Sequence, residues 1–247
     1  MESSGKFSDQ APAPARTSDR VLVIMAKAPR PGAVKTRLAS ILPVEAATAF
    51  YGCLLYDTLA LARSVGGADV SIMCPDVDVN ELAGLAGNGA IVVGQTGEGL
   101  AAGLTSVFAH FTPDHQRGVI AFNSDSPHLP SSILEDAFEK LSAHDLVVGP
   151  THDGGYYLVG AKIPHPTLFA DDGMGTGSAL DKLLASAHTL RLSVGFTDSF
   201  YDVDVADDLI RLAGELREAP ARAPQTAAWL SQWGHAVAQL GTSAGGL

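Results

Sequence analysis

An unbroken apolar run, Val21-Leu-Val-Ile-Met-Ala26, leads straight into Lys27-Ala-Pro-Arg-Pro-Gly-Ala-Val-Lys-Thr-Arg37, and this junction constrains the fold more than any other part of the chain. A strand that is apolar at successive positions must be buried on both faces, as in a parallel sheet covered by helices on each side. The loop that follows holds Lys27, Arg30, Lys35 and Arg37 in a chain whose net charge is -11. Cations gathered at the carboxyl end of a first parallel strand, against an acidic background, point to an anionic ligand, most simply a phosphate. The same residues would equally serve as a solvated loop that offsets acidic neighbours. As loop cations, Lys35 and Arg37 are expected to be replaceable by alanine without loss of the fold.

With 247 residues and 46% hydrophobic content, the chain can bury one large core or at most two small ones. No apolar run approaches the ~20 residues that span a bilayer. The polar, proline-bearing stretch at residues 1–19 lacks an apolar core and reads as a disordered leader, not a signal peptide. Cys53 and Cys74 lie in apolar surroundings without metal-ligand or redox spacing, which fits core thiols of a reducing, cytoplasmic compartment. The acidic balance argues against a nucleic-acid-binding surface.

Strand and helix patterns alternate along the chain. A helix is expected from Pro43 to about residue 64 with Ala46, Phe50, Cys53, Leu54 and Leu61 inward. Asp69–Cys74, Ala90–Val93 and Gly118–Asn123 read as further strands, separated by helices near 78–86 and from Gly97 to about His110. Leu134, Ala137, Phe138 and Leu141 mark the next helix. Strands at 145–149 and 155–160, a helix near 176–187, a strand near 189–195 and a helix over 204–217 complete the pattern. Such alternation implies an α/β three-layer sandwich, a mostly parallel mixed sheet with helices on both faces. Residues 218–247 form an extension in which Trp229, Trp233, Val237 and Leu240 fall at helical spacing. That helix either docks its aromatic stripe on the domain or serves a homodimer or another partner. Residues 241–247 read as a frayed end.

Three segments carry candidate chemistry. Asn123-Ser-Asp-Ser-Pro-His-Leu-Pro130 ends the fourth strand, where a carboxylate beside the basic loop can share Mg²⁺ or Mn²⁺ with phosphate oxygens. Ser-Asp-Ser-Pro is also turn and helix-capping chemistry. Gly149-Pro-Thr-His-Asp-Gly-Gly-Tyr-Tyr157 is a hairpin signal that also presents Asp153 and two phenols. In Phe200-Tyr-Asp-Val-Asp-Val-Ala-Asp-Asp208, Asp202 and Asp204 share one side of an extended segment, while Asp204 can alternatively cap the following helix.

Together, Val-Ile-Met-Ala-Lys-Ala-Pro-Arg-Pro-Gly-Ala-Val-Lys-Thr-Arg-Leu38, Asn-Ser-Asp-Ser-Pro-His-Leu-Pro130, Gly-Pro-Thr-His-Asp-Gly-Gly-Tyr-Tyr-Leu-Val-Gly160 and Tyr-Asp-Val-Asp204 resemble the motifs of DUF2064 proteins. These are glycosyltransferase-like members of the nucleotide-diphospho-sugar transferase (GT-A) superfamily, also labelled radical-SAM/selenodomain-associated transferases. The chain is more distantly similar to 2-phospho-lactate guanylyltransferases, which share the Lys-x-Arg-Leu loop. The resemblance spans residues 20–215 and implies a GT-A-like, Rossmann-like transferase domain over 20–217. It further implies a nucleotide across the carboxyl ends of the first and fourth strands.

Phosphates would be held by Ala26, Lys27, Pro29, Gly32, Lys35, Arg37 and Ser124. Lys35, Asp125 and Asp153 would be catalytic, and Asp125 with Asp204 would hold Mg²⁺ or Mn²⁺. Gly154, Gly155, Tyr156 and Tyr157 would face a small-molecule acceptor. Two departures stand out: Gly97-Glu98-Gly99-Leu100 lacks an arginine that the family carries after the third strand, and the metal motif offers one carboxylate, so another must come from elsewhere, with Asp204 the best candidate. Glycosyl transfer from a nucleotide sugar is the expected reaction. Nucleotidyl transfer from a triphosphate, with release of pyrophosphate, is the alternative, and a silent nucleotide-binding module the third.

Overall fold

The protein is described by a computed structural model covering residues 18–112, 117–169 and 177–243, with side chains described as far as residue 233 in the last helix. The expected leader therefore lies almost wholly outside the described residues, as do residues 244–247 of the expected frayed end and the side chains of Val237 and Leu240. A sheet of seven strands runs in the order β3-β2-β1-β4-β6-β5-β7. Its strands are β1 (Arg20–Met25), β2 (Asp69–Cys74), β3 (Ile91–Gly94), β4 (Gly118–Asn123), β5 (Leu146–Pro150), β6 (Tyr156–Ala161) and β7 (Val194–Phe196). All described pairings are parallel except those of β6, which runs antiparallel to both β4 and β5.

The helices are α1 (Val44–Ser64), α2 (Val79–Ala86), α3 (Gly99–Phe111), α4 (Ser131–Ala143), α5 (Ala179–Thr189), α6 (Ala206–Glu218) and α7 (Pro224–Ser243). They divide between the two faces because alternate residues of each strand point to opposite sides. Leu22 and Ile24 face a core built with α1, α4, α6 and α7, whereas Val21 and Val23 face a second core built with α3 and α5. The three-layer α/β expectation is thus met. β7 is shorter than the expected 189–195 strand because Thr189 still belongs to α5, and Arg191 then takes a left-handed turn at φ 57°.

Two features of this frame place the site. β1 pairs with β2 on one side and β4 on the other, so successive connections diverge there and leave a crevice at the carboxyl edge. Second, the stretch 200–204 crosses that edge from β5 to β4. Phe200 N donates to Pro150 O at 3.1 Å, and Val203 N donates to Asp125 O at 3.1 Å.

α7 lies against α1 and α6. Phe50 of α1 meets Trp229 with ring centroids 4.8 Å apart, and Trp229 stacks on Trp233 at 5.4 Å. Asp57, buried in α1, accepts Gln225 N at 3.1 Å and Thr226 N at 2.7 Å, so it caps the first turn of a helix far along the chain. Asp57→Ala is expected to cost about 2 kcal/mol, since it removes the cap and leaves one buried and one half-buried amide without acceptors. Both tryptophans of the chain sit in α7, so their fluorescence during urea titration reports this loss directly.

Candidate active site

β1 ends at Met25, level with Met73 of β2 and Asn123 of β4. The residues that follow these strands therefore rise together at one edge. Ala26, Lys27, Lys35, Ser124, Asp125 and Asp204 share the wall of a cleft of about 770 Å³ there. Lys35 Nζ stands at its centre, 2.6 Å from Asp125 Oδ1, 3.0 Å from Asp204 Oδ1 and 2.7 Å from the carbonyl oxygen of Val203. Only 3% of the Lys35 side chain is exposed, against 28% for Asp125 and 40% for Asp204. Burial pulls the Lys35 ammonium down, but the charges of Asp125 and Asp204 outweigh it and hold its pKa above the ordinary lysine value.

The exposed-loop expectation for Lys35 is therefore corrected: its ammonium is buried and neutralises a carboxylate pair. Arg37 does remain 69% exposed, with its guanidinium 3.9 Å from Asp204 Oδ2. Lys27 is exposed and makes no ion pair among the described residues, and its backbone N–H donates to Tyr51 Oη at 3.1 Å. Arg30 points elsewhere, paired with Asp78 and Glu81, and Ala28 N donates to Asp78 Oδ2 at 3.0 Å. Pro29 and Gly32 are not among the residues lining the cleft, whereas Ala33 and Val34 of the same loop are.

The carboxylates also escape the capping alternative. α4 begins after Pro130 and α6 after Val205, neither using Asp125 or Asp204 as a cap. Asp208 does that work for α6, accepting the N–H groups of Asp204 at 3.0 Å and Val205 at 2.9 Å. The hairpin segment fares differently. Asp153 Oδ1 accepts from Thr151 Oγ1 and, at 3.2 Å, from Gly155 N, so it closes the β5–β6 turn. These hydrogen bonds, the Thr151 hydroxyl first, hold its pKa below the usual carboxylate value.

Gly154 is required at φ 90°, where a side chain would strike Gly177 O. Tyr156 packs with the second core and burial raises its pKa. Tyr157 is buried; its hydroxyl pairs with Thr197 Oγ1 at 2.8 Å and donates to Asp198 O at 2.9 Å, and burial pushes it up to about 12. Asp153, Gly154, Gly155, Tyr156 and Tyr157 are not among the residues lining this cleft, as Arg37 is not, although Asp153 lies close enough to Arg37 to feel its charge.

Three participants escaped the sequence reading. Tyr51, one position beyond the inward Phe50, meets Ser124 Oγ at 3.0 Å beneath the cleft. Its signal was a phenol on the flank of an apolar stripe, in the helix after the basic loop. The Val203 carbonyl carried no signal at all, being backbone. His128 is fully buried against Phe200 and Tyr201, both 4.8 Å from its ring, with Glu215 at 3.6 Å. It braces the loop bearing Asp125 against the segment bearing Asp204, and Ser126 Oγ donates to Tyr201 O at 2.8 Å beside it.

Two groups here titrate in opposite senses. Burial drops His128 to about 4 from 6.5, Glu215 opposing and Arg222 and Arg211 adding to it. Between those values the unfolded chain binds the extra proton, so stability falls as pH falls through that window. Burial, then the charges of Asp204 and Asp125, raises Asp202 to about 6 from 3.8. Here the folded chain binds the proton, so stability falls as pH rises through that window. In chelator-treated wild-type protein the two trends offset one another. Asp202→Asn is expected to expose the His128 trend, a loss of about 3 kcal/mol between neutral pH and pH 4 in urea titrations. A variant whose pH profile parallels wild type would contradict this.

Comparison with known proteins gives a consistent picture. A protein from Desulfovibrio desulfuricans, described as a candidate nucleotide-diphospho-sugar transferase, is 26% identical with TM-score 0.82 over 90% of this chain and 98% of its own. A cytidylyltransferase from Leptospira borgpetersenii shares the fold at 12% identity and TM-score 0.57, over 88% of this chain and 94% of its own. So does the 4-diphosphocytidyl-2C-methyl-D-erythritol synthase of Anaerococcus prevotii, at 11% identity and TM-score 0.51, over 81% and 97% of the two chains. No curated protein matches the sequence. Among the described residues no helix is long and apolar enough to cross a membrane. The family described as "Uncharacterized protein conserved in bacteria (DUF2064)" matches residues 58–176 of this chain, a stretch that begins within α1 and runs past β6.

Proposed function

We propose that the protein is a nucleotide-dependent transferase, most simply a divalent-metal-dependent enzyme moving a glycosyl group from a nucleotide-diphospho-sugar to a small-molecule acceptor. The observation that carries the reading is the convergence of Asp125 and Asp204 on one cation, at the carboxyl edge between β1 and β4. Nucleotides bind at this position of open α/β sheets.

The carboxylates fit a metal as well as an ammonium. Asp125 Oδ1 is shielded from solvent and lies 2.6 Å from Lys35 Nζ. Its compensation comes from the Lys35 ammonium, which a divalent cation could replace. Carboxylate oxygens are the hard ligands that Mg²⁺ or Mn²⁺ takes, sharing the remaining positions with water and phosphate. A bound divalent ion would supply neutralisation of the charge that develops on the leaving phosphate oxygens.

The chain's own groups do the rest. Lys27 and Arg37, both exposed at the site, hold anionic oxygens, Arg37 with two-pronged geometry. Tyr51 and Ser124 fix the backbone at Lys27 and so orient the phosphates. Met25, Met73 and Leu100 give one side of the cleft apolar surface.

Nucleotidyl transfer from a triphosphate is the second reading. It is favoured by two exposed cations on top of the buried one, a density of positive charge suited to the longer phosphate chain. A melting-temperature screen of nucleoside triphosphates against nucleotide sugars, with and without Mg²⁺, identifies the donor, because a ligand bound only by the folded state raises apparent stability. Release of a nucleoside diphosphate from a nucleotide sugar is expected. Pyrophosphate released from a triphosphate alone would replace the first reading by the second.

A further inference from the structure

Lys35 Nζ is ringed by three oxygens, from Asp125 at 2.6 Å, Val203 at 2.7 Å and Asp204 at 3.0 Å. Two carboxylates and one backbone carbonyl are the ligands of a hard divalent cation, and no soft atom is among them. An ammonium in this place satisfies the ring incompletely. Its single charge faces two carboxylates, of which Asp204 also has the largely exposed Arg37 guanidinium at 3.9 Å.

The backbone that delivers the ammonium is strained. Lys35 is held at φ 48° and ψ 38°, the left-handed region that side-chain-bearing residues rarely adopt, immediately before the 3-10 turn Thr36–Ser40. Its stem is long and flexible, and the cleft that would receive phosphates opens beside it, with Lys27 and Lys35 in the same wall.

We propose that Lys35 is the resident counter-ion of a three-oxygen cation site whose third ligand is the Val203 carbonyl, and that a divalent ion takes its place only when a diphosphate draws the ammonium into the cleft. This rests on the nucleotide-transferase reading above. The reason is electrostatic. With the ammonium in place, an arriving divalent ion meets a like charge on the same oxygens. Once a diphosphate accepts the ammonium, the ring is left with two uncompensated carboxylate charges and attracts the ion. Metal and diphosphate therefore each raise the other's affinity, and by the same factor. Without a nucleotide the ring stays closed by its own lysine, so the protein does not hold a metal ion when no donor is bound.

The test is a titration of Mn²⁺, followed by calorimetry and by the ion's paramagnetic resonance, into wild type, Lys35→Met and the milder Lys35→Gln. Each is titrated alone and with inorganic pyrophosphate as the diphosphate probe, with correction for Mn²⁺–pyrophosphate association in solution. Wild type is expected to bind Mn²⁺ alone at least tenfold more weakly than either variant, and to gain at least tenfold with pyrophosphate. The variants should gain much less. Mn²⁺ alone should also raise the melting temperature of the variants and leave that of wild type unmoved, a readout that needs only partial folding. Equal Mn²⁺ affinity of wild type and both variants would overturn the displacement while leaving the metal site standing. Failure of all three proteins to bind Mn²⁺, with or without pyrophosphate, would overturn the metal reading and the displacement together.

Discussion

Lys35→Met should destabilise the protein by about 3 kcal/mol, lowering the melting temperature by about 6–12 °C at neutral pH. Methionine fills much of the same volume, so the effect is one of charge and not of packing. Removing one member of a buried ion pair leaves the other uncompensated, which costs about 3–5 kcal/mol when both are fully enclosed. Asp125 and Asp204 keep 28% and 40% of their side-chain surface in solvent, which places the expectation at the lower end. The Val203 carbonyl loses its donor as well. Arg37→Ala provides the contrast: with 69% of that side chain exposed, its loss should change stability by less than about 0.5 kcal/mol. Differential scanning calorimetry of the two variants side by side would decide the matter. Equal, small shifts would mean that the lysine is held loosely and that the carboxylates are solvated independently of it.

Asp125→Asn is the second large effect, and it is expected in function and not in folding. Asparagine keeps the size of the side chain and a carbonyl oxygen. The backbone bond from Val203 N to Asp125 O is untouched. Lys35 retains Asp204 and the Val203 carbonyl. The fold should therefore persist. What disappears is one of the two charges that hold a divalent ion, with several kcal/mol of transition-state stabilisation, or about 10²–10³-fold in kcat. Turnover of the donor identified by the screen, measured across a range of Mg²⁺, is the relevant experiment. Wild-type turnover and Mg²⁺ dependence in this variant would reduce Asp125 to a turn residue.

Much of the sheet was legible because buried parallel strands write themselves as apolar runs. Asp69–Cys74 and Gly118–Asn123 are strands at the expected bounds. Helix starts were less legible where the capping group lies outside the helix: the α7 N-terminus is capped from α1, and no local pattern announces that. At the site, Asp125 and Asp204 were legible as carboxylates at a sheet edge, but whether they met depended on the 200–204 crossing, a long-range bond. Least legible were the burial of Lys35 and the packing of the tyrosines. A cation in a Pro- and Gly-bearing loop reads as exposed, and only the two carboxylates brought in from distant segments explain its burial. Tyr156 and Tyr157 look like a recognition pair after a glycine turn. In strand β6 successive side chains point to opposite faces, so neither was bound to reach the edge.

The cap that Asp57 provides for α7 bears on how the chain is made. α1 is complete once residue 64 has been synthesised, yet the ring that covers Phe50 and the amides that satisfy Asp57 come from residues 225–229. Until those emerge from the ribosome, a nascent protein with its sheet strands already translated would still display an apolar helix face and a carboxylate without its donors. Completion of this side of the molecule therefore waits for residues 225–229, and chains stalled shortly before Pro224 are the ones that chaperones and proteases should recognise.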